Sequence, residues 1–192
     1  MQLVCGVIMK MLVTLCAAVL LLSGCGAAQS PATSVPIKAA DAVPSPRPDD
    51  FRIDYFWSKG ALPPPHAYSI SILIEGGGRG TAILKAPALN GPEQSWQETF
   101  DIAPKQMDAV HELMKRSGVL DGGPLPASDP APGASTTSMK IIASGKEVTV
   151  SDTVGGNKQQ MVAALFGAVR ALAAPAEDKL QTLYNAWIKT QQ

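Results

Sequence analysis

The side chain with the clearest chemical task in the sequence is the thiol of Cys25. It closes the tetrad Leu22-Ser23-Gly24-Cys25, at the end of an apolar run from Met11 to Leu22 that follows Lys10. A basic residue, an apolar run and small residues in this order are typical of a secretory signal peptide. The run is shorter than the ~20 apolar residues that a membrane-spanning helix needs. The thiol of Cys25 is therefore a nucleophile that directly follows the apolar run and the small residues.

The tetrad resembles the lipobox of bacterial lipoproteins, in which a branched apolar residue and two small residues precede a cysteine. The resemblance implies that residues 1–24 are a signal peptide, and that Cys25 is lipidated and becomes the first residue of the mature chain. Two or three acyl chains hold a protein to a membrane stably. Gly26 stands where an aspartate favours the inner membrane, so the implied location in a host with two membranes is the outer membrane, facing the periplasm. Translation starts at Met1 or at Met9.

The mature chain begins with a segment that is unsuited to burial. Residues 25–50 contain five prolines and no aromatic residue, which predicts an extended tether between the lipid and a folded domain at residues 51–192. Cys25 is the only cysteine after the signal peptide, so the domain has neither a disulfide nor a thiol ligand. The chain has 16 basic and 16 acidic residues and no basic stripe, which excludes nucleic acid as an expected partner.

The histidines and glycines do not form a recognised catalytic pattern. His111 begins the segment His111-Glu112-Leu113-Met114-Lys115, in which a lysine stands where a zinc protease helix has its second histidine. His66 is the only other histidine. The glycine-rich stretch 76–80 joins two predicted strands and lacks the lysine of a phosphate-binding loop, so it predicts a hairpin turn. We therefore expect no catalytic set, no metal and no cofactor.

Carboxylates on predicted strands keep one enzymatic alternative open. The four residues concerned are Asp54, Glu75, Glu98 and Asp101. Glycoside cleavage needs two carboxyl groups a few ångströms apart, which only the fold decides. Glu98 is the most interesting of the four, because it shares a strand face with Trp96 and Phe100. We expect its carboxylate at the sheet edge, in a salt bridge or in a pocket.

Two further features are candidates for recognition. Tyrosine and tryptophan side chains belong either to the core or to a patch that binds sugars or proteins, and those concerned are Tyr55, Trp57, Tyr68, Trp96, Tyr184 and Trp187. The Pro- and Gly-rich loop 121–134 is long enough either to contact a partner, as in an inhibitor or sensor, or to be disordered.

The elements that must position these residues follow from hydrophobic periodicity. Alternation of apolar and polar residues predicts strands at 51–57, 68–74, 81–85 and 95–102, and a hairpin from Met139 to Val150. Spacing of three and four residues predicts a helix from Pro104 to Gly118, a second from Asn157 to about Ala173, and a third from Pro175 to the C-terminus. The expected fold is a single α+β domain: a four-stranded antiparallel meander, a helix and a hairpin, packed by two C-terminal helices.

These features predict a membrane-anchored lipoprotein of the cell envelope whose domain is a non-enzymatic binding or envelope-assembly module. The expected partners are the membrane, through the lipid, and an envelope protein or polymer. The alternative is a small hydrolase that acts on an envelope polymer through the strand carboxylates. Residues 51–192 resemble no family.

Overall fold

A computed structural model describes residues 46–121, 131, 133–153 and 158–191, and residues 43–192 belong to one compact unit. The predicted signal peptide and Cys25 lie outside the described residues. The strands are β1 (Arg52–Ser58), β2 (Ser69–Glu75), β3 (Arg79–Ala86), β4 (Gln94–Asp101), β5 (Thr136–Ala143) and β6 (Lys146–Ser151). The helices are α1 (Pro104–Arg116) and α2 (Gln159–Ile188), with short 3-10 helices at Val119–Asp121 and Lys189–Gln191.

The six strands form one antiparallel sheet in the order β4-β3-β2-β1-β5-β6. The predicted meander occupies β1 to β4, and the predicted hairpin β5–β6 joins the free edge of β1, where Tyr55 lies opposite Met139. The α+β class with a single antiparallel sheet is confirmed.

Both described helices pack on the same face of the sheet. That face carries the alternating apolar residues of β1, β2, β3, β5 and β6, including the fully buried Ile53, Ile72 and Leu84. The helices contribute Met107 and Met114 from α1, and Leu165 and Leu180 from α2. An antiparallel sheet needs only one face against the core, so the two-layer arrangement is complete without a second helical layer.

Two glycines at the β2–β3 connection have separate tasks. Gly78 has a φ of +86°, which the hairpin turn requires and a side chain would resist. Gly80 already belongs to β3, and a Cβ there would overlap the ring of Phe100 on β4. The glycine-rich stretch therefore makes the turn, as expected, and also opens space for an aromatic ring.

One helix prediction was wrong: a single helix of 30 residues replaces the two expected at the C-terminus, and Pro175 lies inside it. Proline lacks the backbone N–H that would donate a hydrogen bond to the carbonyl of Ala171. Because Ala171 is exposed, water can hydrogen-bond this carbonyl instead. Ala173 and Ala176 are buried on either side of Pro175, so packing against the sheet continues across the proline. Asn157, the expected cap, lies outside the described residues.

The structure extends the domain a few residues before Phe51. Arg47 donates hydrogen bonds to Asp108 of α1 over 2.6 Å and to the carbonyl of Gly76 over 3.1 Å. The carboxylate of Asp50 accepts hydrogen bonds from the backbone N–H groups of Ser144 and Gly145, which lower the pKa of Asp50. The last residues of the predicted tether are therefore attached to the domain.

Candidate binding surface

The candidate binding surface is the face of the sheet opposite the helices, and we call it the open face. It carries every second residue of all six strands, and none of these side chains is buried. Neither described helix packs on it. Hydroxyl residues predominate, namely Ser58, Ser69, Ser71, Thr81, Ser95, Thr99, Thr136, Ser138, Thr149 and Ser151.

The charges on the open face cancel. Its four basic residues are Arg52, Arg79, Lys85 and Lys140, and its four acidic residues are Asp54, Glu75, Asp101 and Glu147. Arg52 contacts Asp54 over 3.0 Å, and Lys140 contacts Glu147 over 3.4 Å. Lys85 contacts Glu93 over 3.5 Å, and Arg79 lies opposite Asp101 in the strand register. The surface is therefore electrically balanced rather than suited to a strongly charged ligand.

Phe56 is the most exposed apolar side chain of the open face. It lies on β1, a central strand, with Ser71 opposite it on β2 and Ser138 opposite it on β5. Its exposed fraction is 41%. The sequence-based candidates did not include Phe56; the available signal was an aromatic residue at a polar position of an alternating strand.

The structure divides the four candidate carboxylates between the two faces of the sheet. Asp54, Glu75 and Asp101 lie on the open face, whereas Glu98 lies on the helix-covered face, where it accepts a hydrogen bond from Lys179 over 3.4 Å. Glu98 therefore shares no face with the other three and cannot act with one of them on a single bond. It is a charge that points inward from edge strand β4, a feature that discourages pairing with another chain.

The two histidines lie in different surroundings. His66 is exposed in the loop between β1 and β2, whereas His111 is buried on α1 with its ring edge-on to Phe51 at 5.1 Å. Burial, and then the charge of Lys115, lower the pKa of His111. His111 also borders two open cavities of about 230 and about 510 Å³ beside Pro46. In the part of the chain that the structure describes, no three His, Cys, Asp or Glu side chains are grouped to hold a metal ion.

The candidate aromatic residues pack mainly into the interface between the sheet and α2. Tyr184 is buried and donates a hydrogen bond to the carbonyl of Pro65 over 3.1 Å. Its ring lies 4.8 Å from that of Tyr68 and 6.0 Å from that of Trp187. Burial raises the pKa of Tyr55 to about 12. These residues join the core, which leaves Phe56 as the exposed aromatic ring of the open face.

Two candidates from the sequence lie outside the described residues, namely Cys25 and most of the loop 121–134. None of the described helices has the length and hydropathy of a membrane span.

The chain matches no protein-family model. A search of curated proteins also finds no significant match.

Proposed function

We propose that this protein is a bacterial lipoprotein, held in the cell envelope by lipid on Cys25. We further propose that its domain is a non-enzymatic module that binds an envelope protein or polymer through the open face. The tetrad Leu22-Ser23-Gly24-Cys25 after an apolar run supports the anchor. The observation that carries the binding role is Phe56, an exposed ring near the centre of a hydroxyl-rich and charge-balanced sheet face.

The attachment of the tether is compatible with this role. Arg47 joins the domain through Asp108 and the carbonyl of Pro104, both on α1. Arg47, near the end of the tether, therefore contacts the domain on the helical side of the sheet. A partner on the open face and Arg47 at α1 thus contact opposite layers of the domain.

The anchor is tested by replacing the thiol. The Cys25→Ser variant should not incorporate radiolabelled palmitate, and it should leave the membrane fraction, because serine does not replace the thiol as lipid acceptor. Cys16→Ser is the matched control, since it removes a thiol within the signal peptide and should retain both labelling and sedimentation. Recovery of the Cys25→Ser protein in the membrane fraction would contradict lipid anchoring.

The binding surface is tested in cells. A photoreactive phenylalanine analogue is incorporated in place of Phe56, or in place of Leu89 as the matched control. Leu89 lies between β3 and β4 with an exposed fraction of 51%, so the two positions are similarly accessible but only Phe56 is on the open face. Illumination should produce a cross-linked protein or polymer at position 56 and not at position 89. Equal adducts at both positions, or none at position 56, would contradict the proposal.

A further inference from the structure

We propose that the partner of the open face is an uncharged, hydroxyl-rich glycan chain that lies across the strands over Phe56. This inference rests on the proposed function and adds the chemical class of the partner. Three properties of the open face support it: its hydroxyl groups, its charge balance and its single exposed ring.

The hydroxyl groups suit a polyol. A serine or threonine hydroxyl donates one hydrogen bond and accepts others. A sheet face rich in these side chains can therefore either donate hydrogen bonds to the hydroxyl groups of a sugar or accept them. One row across the sheet reads Gln97, Ile83, Ser71, Phe56, Ser138 and Ser151. Neighbouring strands lie ~4.8 Å apart, so this row offers a side chain at a regular interval over ~24 Å. A linear polymer of similar units can lie along such a row.

The charges argue against the other classes of polymer. The acidic and basic residues of the open face are equal in number, and three of its four basic residues contact a carboxylate at 3.5 Å or less. A polyanion would meet those carboxylates and would have to compete with them for the basic groups. A neutral chain meets neither obstacle, so charge complementarity favours it.

Phe56 supplies the apolar contact that a sugar ring needs. The C–H groups of one face of a pyranose pack on an aromatic ring, whose face is electron-rich. The hydroxyl groups at the rim of the sugar would meet Ser71 and Ser138 on either side of that ring. The row therefore combines stacking with hydrogen bonding at one place.

Affinity electrophoresis of the purified full-length mature chain tests the inference. The native gels contain hydroxyethyl cellulose as the neutral polymer or alginate as the anionic polymer, at low and at high salt. We expect hydroxyethyl cellulose to retard the wild type at both salt concentrations, with tenfold weaker binding for Phe56→Leu. Phe56→Trp should retain binding, and Leu89→Ala is the matched control, which should bind as the wild type does. Thermal unfolding of each variant checks that it is folded.

The outcomes separate this inference from the proposed function. Retardation by alginate alone, lost at high salt, would overturn the glycan inference. So would equal binding by Phe56→Leu and the wild type. A protein cross-linked at position 56 in cells, without retardation by hydroxyethyl cellulose, would overturn the inference and leave the proposed function intact. Failure of both experiments would reject both proposals.

Discussion

The ion pair between Arg170 and Glu177 should respond very differently to the removal of each partner. Arg170 Nη2 lies 2.6 Å from Glu177 Oε2, and Nε lies within 3.3 Å of both carboxylate oxygens. These hydrogen bonds raise the pKa of Arg170. The side chain of Glu177 is only 10% exposed, whereas that of Arg170 is 49% exposed. Loss of the arginine therefore leaves a buried carboxylate, whereas loss of the carboxylate leaves a cation that water can solvate.

The expected magnitudes follow from this asymmetry. Breaking a fully buried pair costs roughly 3–5 kcal/mol. Since Arg170 is half exposed, water already weakens the pair, and we expect the free energy of unfolding to fall by about 2 kcal/mol in Arg170→Met. Glu177→Gln should cost about 1 kcal/mol or less, because the amide still accepts a hydrogen bond.

Urea unfolding followed by tryptophan fluorescence measures both values. Lys140→Met and Glu147→Gln form the control pair, because those partners are 41% and 57% exposed; each should cost less than about 1 kcal/mol. Equal destabilisation by Glu177→Gln and Arg170→Met would contradict a role for burial of the carboxylate, and so would the same asymmetry in the exposed control pair.

Three further outcomes are expected. Tyr184→Phe removes the buried hydrogen bond to Pro65 and should lower the free energy of unfolding by about 1 kcal/mol in the same urea assay; an unchanged value would show that this bond contributes nothing. The folded state resists protonation of His111, whose ordinary pKa is 6.5. The free energy of unfolding of the wild type should therefore fall as the pH falls below 6.5, and that of His111→Leu should fall less. Parallel pH profiles of the two proteins would contradict this. Glu98→Val removes the inward charge of β4 and its contact with Lys179. We expect it to increase self-association in light scattering, and a protein that stays monomeric would contradict the role of Glu98 in protecting the edge.

The strands and their faces were largely predictable from the sequence because burial of one sheet face imposes a period of two. Ile70, Ile72 and Ile74 alternate with polar or less buried residues, and the structure buries all three. The helix at Pro104 was also predictable, since Met107, Val110 and Met114 follow helical spacing and are buried. Local patterns of this kind are sufficient to predict the α+β class and most of the element boundaries.

The sequence by itself thus determined which side chains of each element share a face, and it identified the tetrad at Cys25 as the predicted anchor. Only the tertiary structure decided that β5 pairs with β1 and that both helices cover the same face. It also decided that α2 continues through Pro175, because packing on both sides compensates for one missing hydrogen bond. These outcomes depend on contacts between residues far apart in the chain, which no local period encodes. For the same reason Phe56 emerged as the centre of a surface only when its neighbours were in place.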